Sequence, residues 1–236
     1  MSIPLEILYQ DDFLVAINKP SGLLVHKSDL DKYEVNNAME MLRDQLGRWV
    51  YPIHRLDKPT SGVLLFGLDS ITAKLLTEIF TKRDVAKSYL AVVRGHAPTE
   101  SIIDYSLPPL FTNKPKQTVP KQTAITHYKR LKTTEVSIPV RPYPTSRYSL
   151  LQISPQTGRT RQIRRHMKHI FHPIIGDTAH GDGKHNQMFR EKFDCHRLLL
   201  HAESLQFRHP KLDSEITIEA SLDQSFKKII SQLKFD

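Results

Sequence analysis

The 236-residue chain reads as an α+β protein, a mixed or antiparallel sheet with flanking helices. Three observations predict this class. Strand-type and helix-type stretches mix along the chain without the regular alternation of a doubly wound fold. Hydrophobic residues make up 39% and charged residues 25%, the balance of an ordinary globular protein. The length leaves room for a substantial core, as one large domain or two small ones.

The elements follow in order. Leu5-Glu6-Ile7-Leu8-Tyr9 and the run Phe13 to Lys19 are two strands around Gln10-Asp11-Asp12, ended by Pro20-Ser21-Gly22. Val35 to Leu46 places Ala38, Met39, Met41, Leu42 and Leu46 in a helical pattern closed by Gly47. Val63-Leu64-Leu65-Phe66 has the character of a buried strand. Ser70 is the expected N-cap of a helix through Thr81, with Ala73, Leu76 and Phe80 on one face. Tyr89 to Val93 is a strand stopped by Arg94-Gly95. Residues 106–123, rich in Pro, Lys and Thr and without periodicity, predict an exposed loop or insertion, and a Pro-rich break recurs at Pro139 to Pro144. Tyr148 to Ile153 is a strand, Gln156-Thr157-Gly158 a turn, and a helix follows from about Thr160 to Ile170. Phe226, Ile229, Ile230 and Leu233 give a closing helix one apolar face, which packs on the core. The chain shows no internal repeat and no low-complexity linker.

Bulk chemistry narrows the function. The single cysteine, Cys195, excludes an internal disulfide and fits a reducing cytosol, hence a cytoplasmic protein. Cys195 itself reads as an incidental thiol. The segment Met1 to Glu6 lacks the cationic and apolar blocks of a signal peptide, and no apolar run approaches membrane-spanning length, so no membrane role is expected. A formal charge of +9 and a pI near 9.6 favour a polyanionic partner. Arg159, Arg161, Arg164, Arg165 and Lys168 lie close together, and the next acid is Asp177. Such a cluster is what phosphate contacts require. His166, His169, His172, His180 and His185 fit no closed zinc spacing and sit among cations, so no metal is expected.

One stretch carries more than its composition. His54-Arg55-Leu56-Asp57-Lys58-Pro59-Thr60-Ser61-Gly62 sets the Asp57 carboxylate between two cations and follows it with turn-forming residues. The cations favour the ionised acid, which suits a nucleophile or a general base. An isolated Asp in a turn is more often a surface ion pair; here the apolar run from Val63 ties the turn to the core. A protein kinase catalytic loop is excluded, because Leu56 separates Arg55 from Asp57 and no Gly-rich loop precedes it.

His-Arg-Leu-Asp, two variable positions and Thr-Ser-Gly resemble the signature of the RluA-like pseudouridine synthases. Three further segments match that family in order. Ile7 to His26 resembles its N-terminal motif through Asn18-Lys19-Pro20-Ser21-Gly22, Lys87-Ser88-Tyr89 resembles its Lys-x-Tyr strand, and Thr157 to His166 resembles its Thr-Gly-Arg-x-His-Gln-Leu/Ile-Arg motif. His172-Pro173-Ile174-Ile175-Gly176-Asp177 and Leu200-His201-Ala202 extend the likeness over most of the chain. Arg161 departs from it, standing where much of the family has His.

The resemblance implies a mixed, largely antiparallel sheet in two halves with a central cleft, residues 1–236 forming one catalytic domain without an N-terminal S4-type module. It implies isomerisation of uridine in RNA, with no cofactor and no obligate protein partner. Asp57 becomes the catalytic carboxylate, Arg164 its ion-pair partner, and Tyr89 the residue that stacks on the target base. Arg55 helps displace the uridine from its stack, and Arg159, Arg161, Arg165 and Lys168 bind the RNA backbone. Arg165-His166 and the run Tyr143 to Tyr148 look most like the branch that modifies uridine 65 of tRNA. The rivals are the same chemistry on ribosomal RNA, separated by which RNA is modified, and a non-catalytic RNA-binding protein, against which Asp57, Tyr89 and Arg164 all argue.

Overall fold

The computed structural model describes residues 4–27, 36–110 and 119–235. Val35 and the middle of the 106–123 stretch lie outside the described residues. The elements begin with β1 (Glu6–Gln10), β2 (Leu14–Lys19), α1 (Ala38–Leu46), β3 (Tyr51–Pro52), β4 (Ser61–Gly67) and α2 (Ser70–Lys82). They continue with β5 (Val85–Arg94), β6 (Glu100–Asp104), β7 (Ile125–Val136), β8 (Ser146–Pro155) and α3 (Gln162–His169). The last are α4 (Gly183–Phe193), β9 (Leu200–Arg208), β10 (Glu215–Glu219) and α5 (Gln224–Leu233). Strand and helix thus mix as predicted, in an α+β fold whose sheet pairings are largely antiparallel.

The chain divides into two compact units. The first comprises Met1–Lys87 and His201–Asp223, the second Ser88–Leu200 and Gln224–Asp236. In the first, the strand order is β1-β2-β4-β9, with β3 on β4 and β10 on β9. Asp11 shapes the first hairpin, accepting from the N–H groups of Phe13 and Leu14 at 2.7 and 2.8 Å. Every residue of β4 is buried, as its unbroken apolar run predicts. Leu14, Ala16, Val63, Leu65, Leu205 and Phe207 build the core, and Leu76 of α2 packs into it. The N-cap of α2 is Asp69 rather than Ser70. Its carboxylate accepts from Thr72 N and Thr72 Oγ1 at 2.8 and 2.7 Å, so the stronger acceptor one residue earlier takes the cap. α1 begins at Asn37, which accepts from Glu40 N, and ends on Gly47 at φ 65.

The second unit carries the order β5-β8-β7-β6. Ala91, Val93, Leu151, Ile153, Ile163 and Met167 form its core, with Tyr89 packed at the margin. β5 runs longer than the expected Tyr89–Val93 and ends on Gly95 at φ 84. α3 starts two residues later than predicted because Arg161 adopts φ 54. In α5, Phe226, Ile229 and Leu233 are buried as the spacing implies, and Thr134 Oγ1 donates to Leu233 O at 2.6 Å. Cys195 is buried, and burial raises its thiol pKa. Of the 106–123 stretch, the ends are ordered against each other through reciprocal Leu107–Gln122 backbone bonds of 2.9 Å. None of the described helices is long and apolar enough to cross a membrane.

Candidate active site

In the first unit, Asp57 lies on the loop between β3 and β4, and almost every neighbour of Asp57 on that loop is fastened. Asp57 O accepts from Thr60 N at 2.9 Å, which closes the turn read from the sequence. Leu56 and Thr60 on either side of it are buried. His54 accepts from Leu65 N through Nε2 at 3.1 Å and stacks on Phe80, centroids 5.1 Å apart. Loss of water around the ring, with the Lys87 charge behind it, pulls the His54 pKa down to about 3. The imidazole is therefore neutral, with its proton on Nδ1.

The Asn18-Lys19-Pro20-Ser21-Gly22 segment grips the same loop. Lys19 is fully buried, and its ammonium donates to the carbonyls of Pro20, Leu23 and Lys58 at 2.9, 2.8 and 3.2 Å. Ser21 Oγ donates to Pro59 O at 2.7 Å and Gly22 N to Lys58 O at 2.9 Å. A buried ammonium is tolerated only when its protons are satisfied; here that requirement ties Lys58, the neighbour of Asp57, to a second loop.

Beyond the turn, Ser61 and Gly62 pair in parallel with His201 and Ala202 of β9. His201 Nε2–H donates to Ala220 O at 3.0 Å, so Nδ1 accepts the Ser61 hydroxyl at 2.8 Å. Gly62 sits at φ 110, and a Cβ there would collide with the Ala202 carbonyl. The string that marks the motif thus consists of one carboxylate and the residues that hold its backbone. Arg55 is exposed on the same loop.

In the second unit, Tyr89 is half-buried on β5 opposite Ile153 of β8. Arg164 is buried on α3, only 5% exposed. Its Nε and Nη2 make a bidentate pair with Asp177 at 2.7 and 2.8 Å. Burial alone would raise the Asp177 pKa; the Arg164 guanidinium and the His180 and Ala179 N–H groups hold it below the usual range. Asp177 is the residue whose role sequence reasoning passed over, noted only as the end of a motif and as the next acid after the basic run. A buried arginine needs a buried carboxylate, and the first acid after the basic run was the signal that could have found it.

The entry to α3 is built by Gln162. Its carboxamide oxygen accepts from Thr157 Oγ1 and Arg159 N at 2.7 and 3.0 Å, and its nitrogen donates to Ile125 O and Thr126 Oγ1 at 2.9 and 3.0 Å. Thr126 in turn meets His166 Nδ1 at 2.9 Å, while His166 Nε2 meets Tyr105 O at 3.0 Å. Two of the expected RNA-binding arginines have internal work as well: Arg159 Nε donates to Thr123 O at 3.0 Å and Arg165 Nη2 to Pro108 O at 2.8 Å. Lys168 is exposed and Arg161 half-exposed. The histidines go separate ways: His169 stacks on Tyr105, His172 meets Arg94 O, and His185 meets Tyr148 Oη.

A structurally pinned acid in the first unit and a basic helix in the second, in this α+β fold, define a class that comparison identifies. Residues 13–169 match the RNA pseudouridylate synthase family, and the chain belongs to it. Human RNA pseudouridylate synthase domain-containing 4 has the same fold, with a TM-score of 0.71 and 26% identity over 98% of this chain and 94% of that one. Among curated relatives, tRNA pseudouridine synthase C of Haemophilus ducreyi is 51% identical over 97% of this chain and 95% of its own. The protein of the same name from Vibrio parahaemolyticus is 46% identical over 99% and 97%.

Proposed function

We propose that this protein is a tRNA pseudouridine synthase that isomerises uridine 65, acting in the cytoplasm without a cofactor or an obligate protein partner, with residues 1–236 serving as one catalytic domain. The observation that carries this reading is 46–51% identity, over nearly the whole chain, to relatives named tRNA pseudouridine synthase C.

The reaction breaks N1–C1′, turns the freed uracil and joins C5 to C1′; C5 then gives up its proton and N1 takes one up, so the net change is an isomerisation. Nothing is oxidised and no group is transferred, so one well-held carboxylate suffices. Asp57 supplies it, either attacking C1′ or removing a sugar proton to give a glycal. Arg164, whose guanidinium is already oriented by Asp177, pairs with Asp57 and aims it. Tyr89 stacks on the uracil, which must be extruded and shielded from water so that the free base is not lost. Arg55 fills the space the uridine leaves, and Arg159, Arg161, Arg165 and Lys168 carry the phosphates.

The test is carbodiimide primer-extension mapping of pseudouridine on unmodified tRNA and ribosomal RNA, with wild type and Asp57→Asn. A stop at tRNA position 65 with wild type alone supports activity, substrate and catalytic acid together. A stop only in ribosomal RNA removes the substrate assignment, and turnover by Asp57→Asn removes Asp57 from the chemistry.

A further inference from the structure

Asp182 begins α4 as its N-cap, accepting from Lys184 N at 3.1 Å, with its side chain only 5% exposed. Two arginines converge on it. Arg94 Nη1 meets Oδ2, and Arg141 Nη2 meets Oδ1 at 2.9 Å. The other terminal nitrogen of Arg94 donates to Phe171 O at 3.2 Å. One buried carboxylate therefore ties together the end of β5, the Pro139–Pro144 turn and the loop after α3. Two cations against one acid leave a positive charge over, and Arg141 remains about half exposed.

Each tethered loop carries a large aromatic ring in solvent: Phe171 is 78% exposed and Tyr143 69%. The backbone beneath them is unusual as well. Phe171 adopts φ 64 and Arg141 φ 60, the region that favours glycine. Phe171 occupies the left-handed position of a helix C-terminus, where Phe171 N donates to Lys168 O at 3.1 Å and His172 N to Met167 O at 2.9 Å. Glycine would make those bonds without strain. A strained, solvent-facing ring clamped by a buried ion pair has no packing reason to be there.

We infer that Phe171, Tyr143 and the Arg94–Asp182–Arg141 clamp form a docking surface for unpaired bases of the substrate RNA. This rests on the proposed function only in taking RNA as the substrate. Aromatic faces accept bases of any sequence, and guanidinium groups accept the phosphates between them. The stretches 139–147 and 168–172 contain no acidic residue; Arg147 is paired with Glu135 at 3.0 Å, but Lys168 and His169 add to the charge left over at the clamp, which favours a polyanion over an ordinary protein partner. The run Tyr143 to Tyr148, noted in the sequence only as a resemblance, thereby acquires a physical task.

The experiment compares wild type, Phe171→Gly and Tyr143→Ser by thermal melting, by titration with fluorescent unmodified tRNA and a ribosomal RNA fragment, and by steady-state kinetics on whichever RNA is turned over. Phe171→Gly should melt no lower than about 2 °C below wild type, since glycine suits the backbone. Its Kd and KM should nonetheless rise about tenfold, the loss of one base stack, with kcat within about twofold. Tyr143→Ser should behave alike, and the double variant should lose more. Unchanged Kd and KM in both variants overturns the inference, including the case in which the surface serves a protein. A weakening that only tracks a lowered melting temperature overturns it too. Wild type inactive on tRNA but active on ribosomal RNA counts against the tRNA assignment alone, because the variants are still compared on the RNA that is modified.

Discussion

Replacing Asp177 by Asn isolates the contribution of the buried ion pair behind Arg164. The Arg164 and Asp177 side chains are 5% and 0% exposed, so water cannot compensate for the lost charge. The neutral carboxamide can still accept from Ala179 N and His180 N, which lie at 2.9 Å from Oδ1. What it cannot do is balance the guanidinium or accept both of its N–H groups. Breaking a buried pair by neutralising one carboxylate costs about 3–5 kcal/mol, which at this chain length lowers the melting temperature by roughly 10 °C. Adding Arg164→Met to Asp177→Asn removes the buried guanidinium that has lost the Asp177 charge, and the loss should shrink to about 1–2 kcal/mol. Urea titration followed by circular dichroism measures both variants. The acid limb gives an independent check. The folded-state pKa of Asp177 is depressed, so its stabilisation is complete at neutral pH and fades as pH falls below about 4. Asp177→Asn should flatten the stability profile there and leave its shape above pH 5 unchanged. Single and double variants of equal stability would refute the argument that a buried guanidinium deprived of the Asp177 carboxylate is the source of the loss.

Two further substitutions probe the Asp57 loop. His54, with a folded pKa of about 3, stays neutral while the unfolded chain takes up a proton below pH 6.5; stability should therefore fall by about 2 kcal/mol between pH 6.5 and 5 on its account alone. His54→Gln retains an acceptor for Leu65 N and should remove that share of the slope; an unaltered slope contradicts the assignment. Gly62→Ala forces a Cβ into Ala202 O at φ 110. It should cost on the order of 3 kcal/mol and lower turnover by shifting the Asp57 turn, whereas a melting temperature within 2 °C of wild type with full activity would show that the β4–β9 contact has slack.

The sequence was most legible where one short stretch does several jobs at once. Residues 54–62 combine a charge, a turn and the start of a buried strand, and the fold puts each to use. The closing helix was legible because its apolar positions keep a strict period. Other elements hid for identifiable reasons. α4 buries Asn186 beside Met188, Phe189 and Phe193, and a buried amide that serves Gly176 N and Asp177 O looks like a surface residue in the sequence. β7 is twelve residues long, but its register shifts between Arg130 and Lys132, which breaks the alternation that announces a strand. In the candidate site, Asp57 could be picked out by its neighbours. The Lys19 cage and the His201 anchor could not, because each joins segments far apart in the chain through backbone carbonyls that no side-chain pattern records.

The Ser61–His201 bond spans 140 residues of sequence. During synthesis at about 5–20 residues per second, the turn bearing Asp57 therefore emerges roughly 7 to 28 s before the strand that anchors its far side. Until His201 and Ala202 arrive, β4 lacks its parallel neighbour and the Asp57 turn is held from one side only. The unfinished chain thus presents part of its cationic surface to the RNA-rich environment of the ribosome before the Asp57 turn is fastened from both sides.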